Sequence, residues 1–426
     1  MSTVLKPSPS VERLAALGGP KAVQAPAGDL FSWPQIGAED EAAVLEVLRR
    51  GAMSGTDVTL QFEQEFAAWH GVKFALAHPN GTAAILAALY GCGVGPGDEV
   101  IAPSFTFWAS CTQALSLGAK IVFAEAEPHS LCIDPRDVEK RITPRTKAIV
   151  ATHYCAHPAD MDALMALARP RGIKVIEDVS HAHGALYKGR LCGTLGDAAG
   201  MSLMSGKSLI AGEAGMLITQ DRKVFERAVA FGHYERTQAK SKYFTGEPYL
   251  TDPELAKYAG IPLGGCKHRL NQLSSALGRV QLKHYPRRME AIQRAMTRFW
   301  DLIEREVESG VRGHRPAPGS GSTMGGWYYP HGLYEPEKMN GVPVARFCAM
   351  VAAEGMDCGP GANVPLHLHP LFADRGCVIE PLPVTESLPG RCFGVPWFKH
   401  DRAEQIEAYA RGVVKVVRAI QRGEAR

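Results

Sequence analysis

Apolar positions along this chain follow two rhythms. From about Lys73, short runs that are apolar nearly throughout alternate with longer stretches whose apolar residues recur every three or four positions. KFALA (73–77), EVIAP (99–103), KIVFAEA (120–126), KAIVATHY (147–154) and KVIEDV (174–179) predict strands. Between them, TAAILAALY (82–90), WASCTQALSL (108–117) and MDALMALARPRG (161–172) predict helices. A strand that is apolar on both faces must be covered on both. The alternation therefore predicts a mostly parallel sheet between two layers of helices.

The flanks carry other patterns. EDEAAVLEVLRR (39–50) reads as a helix with its acids first and its arginines last, stopped at Gly51. Before it, Pro7, Pro9, Gly18, Gly19, Pro20, Pro26 and Gly28 predict an arm rather than a packed unit. A long helical stretch covers 271–309 and is interrupted only at Pro286. RPAPGSGSTMGG (315–326) then marks a boundary, and a final helix is expected at 402–421. The predicted organisation is an N-terminal arm over 1–34, a large domain over 35–290 and a smaller α+β domain over 291–426.

Composition narrows the class. The 426 residues hold 47 Lys+Arg against 44 Asp+Glu, a formal net charge of +3, with 46% hydrophobic and 21% charged residues. These are the proportions of a globular protein. A nucleic-acid binder would show a basic excess, and none is present. No run of about 20 apolar residues offers a membrane span, and the first residues lack the apolar centre of a signal peptide. The 10 cysteines stand singly with no CxxC pair, which predicts reduced thiols and a cytoplasmic location. Such a chain acts on something small.

Three segments could carry chemistry. GCGVGPG (91–97) is glycine-rich, but it lies between a helix and the next strand, the wrong side for a dinucleotide fingerprint. It reads as a helix stop and a turn. Asn80-Gly81-Thr82 follows a strand and opens a helix, where backbone N–H groups and the helix dipole can hold a phosphate. The tripeptide alone fits a plain helix cap as well.

The third segment is richer. KVIEDVSHAHGALYKGR ends a strand on Asp178 and then carries His181 and His183; Lys207 follows among small residues, in SGKSLIAGEAG. A lysine so flanked can be shielded from water yet open to a bulky partner, which lowers its pKa and permits imine chemistry. An acid at a strand end and a downstream lysine are what pyridoxal phosphate needs: one keeps the pyridine nitrogen protonated, the other holds the aldehyde. Spacing alone does not settle this against a structural aspartate and a solvated lysine.

Taken together, PNGTAAI, APSFTFWAS, HYCAHPADMDAL, VIEDVSHAHGALYKGR and LGDAAGMSLMSGKSLIAGEAGMLIT resemble the DegT/DnrJ/EryC1/StrS aminotransferases, which use pyridoxal phosphate to aminate keto-sugars. The resemblance runs from about residue 35 to 420 in unbroken order. It implies the aspartate-aminotransferase-like α/β fold, with a three-layer α/β/α large domain, a mostly parallel sheet and a smaller α+β C-terminal domain. Lys207 matches the Schiff-base lysine and Asp178 the acid at the pyridine nitrogen. Gly81, Thr82 and Ser202 match phosphate ligands, and Phe107 the aromatic stacked on the ring. His181 stands where many members have glutamine.

GGCKHRLNQLSSALGRVQL (264–282) resembles the run that reaches the neighbouring subunit's site, with Lys267 in place of an asparagine that meets the phosphate there. PLHLHP (365–370) resembles PLHLQP and puts His367 among the substrate residues; read locally, His367 and His369 on a strand would share a face, too few ligands for a metal site. The resemblance further implies a homodimer with shared sites, a glutamate or glutamine donor, and a keto-sugar nucleotide or ketocyclitol acceptor. The opening ALGGPKAV resembles the inosose-aminating branch. The alternatives are a dehydratase or deoxygenase of the same family, against which Lys207 counts, and a cofactor-bound regulatory protein.

Overall fold

The computed structural model describes residues 13–237 and 249–424. Seven strands form the central sheet: β1 (Phe74–His78), β2 (Glu99–Pro103), β3 (Lys120–Ala124), β4 (Thr146–Thr152) and β5 (Lys174–Asp178), then, after a small hairpin of β6 (Leu186–Tyr187) and β7 (Arg190–Leu191), β8 (Ala198–Ser202) and β9 (Gly215–Thr219). Their order is β1-β9-β8-β5-β4-β2-β3. Every neighbouring pair is parallel except the two that involve β9. Two apolar cores, one holding Ile149 and Val175 and the other Val150 and Ile176, lie on opposite faces, as the period of two requires. This is the three-layer α/β fold.

Most predicted elements stand within two or three residues of their expected ends. The helix expected over 108–117 is instead a short turn at Trp108–Ser110 and a single helical turn at Gln113–Ser116, broken at Cys111. The strands β8 and β9 were not anticipated; β8 is built mostly of small residues, while β9 is GMLIT. β8 is AAGMS, and a Cβ on Gly200 would come within 2.6 Å of Ile85 on the overlying helix Gly81–Gly91. Close helix approach, not strand propensity, chose that residue.

The long helix runs unbroken from Gln272 to Glu306 and absorbs Pro286. Its first half packs on the helices Ala38–Arg49 and Asp57–His70; its second half sends Ile292, Met296, Phe299 and Trp300 into a separate core with the final helix Ala403–Gln421. Between Met289 and Ile292 the helix passes from one core to the other. The C-terminal core sits against a small antiparallel sheet of β10 (Val311–Gly313), β11 (His331–Tyr334), β12 (Gly359–Pro360) and β13 (Cys392–Gly394), ordered β10-β11-β13-β12.

The N-terminal segment departs from expectation. Residues 1–12 lie outside the described part, but 13–34 are packed. Leu14 and Leu30 are buried in the C-terminal core, and the Glu354 carboxylate accepts the amides of Ala15 and Ala22 at 2.8 and 3.0 Å. Prolines and glycines here shape a strap across that domain rather than a free arm. Among the described residues no helix is long and apolar enough to cross a membrane.

Candidate active site

Strands β1, β5 and β8 run the same way, so their carboxyl ends lie on one side of the sheet. There the chain places Asn80-Gly81, Asp178 and Ser202. Ligands bind open α/β sheets on this side.

Asp178 is 5% exposed and fully engaged. Ser110 Oγ donates to its Oδ2 at 2.6 Å, and the Ser180 amide donates to its Oδ1 at 2.9 Å. The neighbouring Glu177 points to the other face of the sheet, where it accepts the amides of Gly193, Leu195 and Gly196 and contacts His153 Nε2 at 2.9 Å. One carboxylate thus anchors the strand while the next faces the site.

Gly81 starts a helix whose Asn80 side chain caps the Ala83 amide at 2.9 Å. That leaves the Gly81 and Thr82 amides as free donors of the first turn. A Cβ on Gly81 would stand 2.7 Å from Ser202 Cα, and one on Gly215 only 2.3 Å from the Asn80 carbonyl oxygen. The backbones of 80–81, 202 and 215 are therefore pressed together, and the sequence meets this with two glycines. Ser202 Oγ accepts the Met204 amide at 3.3 Å, and its own amide donates to Ser180 Oγ at 3.0 Å.

Lys207 lies on the connection between β8 and β9. That loop is tied by Leu203 N–H to Ala214 O and Ala211 N–H to Leu203 O, at 2.8 and 2.7 Å. Beside it, Ser208 Oγ meets Tyr285 Oη at 3.1 Å and His183 Nδ1 at 3.3 Å. Lys207 is 8% exposed, and burial pushes its amine down to about 8, with the Asp178 charge acting the other way. A lysine so displaced holds a usable fraction of free base near neutral pH.

His181 is buried among Tyr154, Tyr328 and Tyr329, with ring centroids 4.9 to 6.2 Å away. Burial, then the charge of Lys207, holds it well below the usual histidine range. Its Nδ1 accepts the Cys155 amide at 3.3 Å, so the neutral ring carries its proton on Nε2. Cys155 and Ala156 are both left-handed, at φ 48° and 71°, and this strained pair turns the amide toward His181.

The remaining expected residues lie further out. Phe107 is 47% exposed on the loop after β2, three residues before Ser110, with its ring against Trp108. Lys267 is exposed on the loop 264–268. His367 sits in the turn Leu366–Leu368 rather than on a strand. It is buried between Ser104 Oγ at 2.7 Å and Glu386 Oε1 at 3.1 Å, and so clips the C-terminal domain to the loop after β2. His369 faces elsewhere, its Nδ1 accepting the Leu371 amide at 3.2 Å.

Sequence reasoning missed four contributors. Ser110 and Ser180 hold Asp178 and Ser202; Trp33 Nε1 donates to the Lys207 carbonyl at 2.8 Å, and Tyr328 places its ring 4.0 Å from Lys207 Nζ. The first two sit inside the quoted motifs and could have been found there. The last two come from distant segments with no local sign.

The profile of the DegT/DnrJ/EryC1/StrS aminotransferase family matches residues 34–414. The chain is 36% identical over 277 residues to the spore coat polysaccharide biosynthesis protein SpsC of Bacillus subtilis, spanning 64% of this chain and 69% of that one. It is 32% identical over 353 residues to the L-glutamine:2-deoxy-scyllo-inosose aminotransferase of Streptoalloteichus tenebrarius, spanning 80% and 79%. Among solved structures, the aminotransferase from Psychrobacter cryohalolentis superposes with a TM-score of 0.78 at 27% identity, over 90% of this chain and 97% of that one.

Proposed function

Since the chain belongs to the DegT/DnrJ/EryC1/StrS aminotransferase family, we propose that it moves an amino group from glutamate or glutamine to a keto-sugar or a ketocyclitol. It is an aminotransferase, and its cofactor is pyridoxal phosphate. The residues present fit that group. Free amides at Gly81 and Thr82 suit a phosphate, and the glycine cradle against Ser202 leaves the backbone open to it. Asp178, fixed by Ser110 and Ser180, suits a protonated ring nitrogen. When bound, the cofactor supplies an electron sink that makes the α-proton of an amino acid removable.

The chain's own residues do the rest. Lys207 would hold the cofactor covalently and, once released, take and return a proton at Nζ. An amine titrating near 8 suits both directions of that transfer at neutral pH. His181, kept neutral with its proton on Nε2, would donate from the opposite side without adding charge. Phe107 would cover the ring. His367 would act on the substrate through the loop it clips, since both its nitrogens are engaged.

The observation that carries the proposal is Lys207, buried near Asp178 on the ligand-binding side of the sheet. The acceptor class draws on relatives whose names specify a ketocyclitol acceptor and a polysaccharide pathway. Exposed Lys267 suits a second copy of the chain, whose cofactor phosphate it would meet as a point charge. All 10 cysteines are free thiols, which supports a reducing, cytoplasmic setting.

An absorbance spectrum tests the reading. The purified protein is expected to show a band near the visible edge that borohydride removes and that Lys207→Ala lacks. A protein that takes up no pyridoxal phosphate overturns it. Glutamate or glutamine should convert the cofactor to its amino form, and keto-sugars and inososes screened against that form should identify the acceptor. Failure of every amino acid would point to a dehydratase.

A further inference from the structure

Lys207 is held at both ends by parts of the chain far from it in sequence. Its carbonyl accepts the Trp33 indole N–H, and its Nζ lies 4.0 Å from the centre of the Tyr328 ring. The segment that delivers Tyr328 is threaded unusually close to the site. A Cβ on Gly325 would come within 2.3 Å of the His183 carbonyl oxygen, and one on Gly326 within 2.4 Å of Ser208 Cβ and Tyr285 Oη. No other residue type fits either position.

Both neighbours of Tyr328 are strained. Trp327 and Tyr329 have φ of 52° and 58°, a conformation that large side chains rarely adopt. Trp397 locks the segment from behind: its Nε1 donates to the Gly326 carbonyl at 3.0 Å, and its ring meets Tyr328 edge-on at 5.6 Å and 87°. Strain retained on both sides of one residue, and over-determined by packing, is a mark of a group held for a purpose.

The groups facing Lys207 Nζ leave that purpose open to the ring. From β5 comes Asp178; from the turn after β4, the buried Cys155 thiol; from the loop after β5, His181 and His183, both neutral by burial. Among the described residues no carboxylate makes an ion pair with Lys207. An ammonium is attracted to the face of an aromatic ring by the ring's quadrupole, most strongly where water is excluded.

We propose that Tyr328 is a positioning residue of the transamination, its ring face the seat on which the Lys207 amine rests as an ammonium whenever it is not bonded to the cofactor. The proposal rests on Lys207 being the cofactor lysine and adds a residue to that site. The ring stabilises the protonated amine against the cost of burial and fixes the direction of Nζ. Trp33 fixes the other end of the same residue, so the lysine swings from a set point.

The test separates ring electronics from ring shape. Full-length protein freed of cofactor is labelled with acetic anhydride across a pH series, and labelling at Lys207 is read by mass spectrometry. Tyr328→Phe should titrate as the parent does. Replacing that phenylalanine with its monofluoro, trifluoro and pentafluoro analogues keeps the shape while draining the ring. The Lys207 midpoint should then fall stepwise, by about one unit in total, with the melting temperature unchanged. A midpoint that ignores fluorination overturns the proposal. Failure of borohydride to fix the cofactor on Lys207 would instead overturn the functional reading, and that experiment does not involve Tyr328.

Discussion

Ser110 Oγ donates a 2.6 Å hydrogen bond to Asp178 Oδ2 and itself contacts Thr106 Oγ1 at 2.9 Å, so the loop after β2 sets the direction in which the carboxylate at the end of β5 faces. All three side chains are buried. A hydrogen bond to a charged group at such a site is worth about 1.5–3 kcal/mol. Ser110→Ala should therefore leave the protein folded but let Asp178 turn, with roughly tenfold weaker retention of pyridoxal phosphate. Fluorescence titration of the cofactor-free variant measures this, and parental affinity would show that Asp178 holds its place without the serine.

Gly81→Ala tests the crossing of helix and strand. The new methyl would lie 2.7 Å from both Ser202 Cα and Cβ and 2.8 Å from its amide nitrogen. Backbone cannot give way as a side-chain tip can, so the helix start and the end of β8 must part. Overpacking of this kind costs about 1–3 kcal/mol. We expect a melting temperature lowered by a few degrees and a much larger loss of cofactor retention, because the displaced amides are the proposed phosphate donors. Equal, small effects on both would show that the phosphate is held elsewhere.

Legibility of this site in the sequence followed the distance over which each signal acts. Asp178 and Lys207 are local: a strand end, and a lysine among serines and glycines. Gly81 is local too, since strand and helix rhythms meet there. Trp33 and Tyr328 touch Lys207 across gaps that no period spans; the Trp33 contact alone crosses 174 positions. The strand β8 was hidden by the packing that keeps it small, Gly200 lying under Ile85. The packed strap at 13–34 was hidden because its prolines and glycines outnumber the two leucines, Leu14 and Leu30, that anchor it.

Acid should destabilise the fold through its buried histidines. Burial pushes His70 and His157 down to about 4 and His183 to about 3, from an ordinary 6.5. Each is neutral in the fold, while the unfolded chain binds its proton below 6.5, so stability is full above that pH and falls as pH drops toward the folded values. At pH 5 the loss is about 2 kcal/mol for each such group. His153 runs the other way. Burial opposes its charge, but Cys192 and Glu177 raise it to about 10, so its contribution is present below 6.5 and lost as pH rises toward 10. Between pH 7 and 5 it offsets less than half of the loss at one of the three. His70→Phe, beside the stacked ring of Phe66, should flatten the dependence of melting temperature on pH between 5 and 7. An unchanged slope would place the acid sensitivity elsewhere.

Lys267 offers a test of whether two copies share their sites. It is exposed at the tip of a loop held only through neighbours, Gly264 N–H to Phe231 O at 2.9 Å and His268 N–H to Gly232 O at 2.8 Å. If its ammonium meets the phosphate of a second copy, Lys267→Ala should release cofactor faster and lose most activity, while Lys267→Arg keeps much of both. The decisive experiment mixes two inactive variants. In a dimer of Lys207→Ala with Lys267→Ala, one site lacks both lysines and the other has both. Random pairing through a two-fold interface then restores about a quarter of the parental activity. If Lys267 serves its own chain, every site in the mixture lacks one lysine and nothing is recovered. Because neither variant can be rescued by refolding or by added cofactor in the same proportion, recovery near that fraction identifies a shared site rather than a stabilising contact.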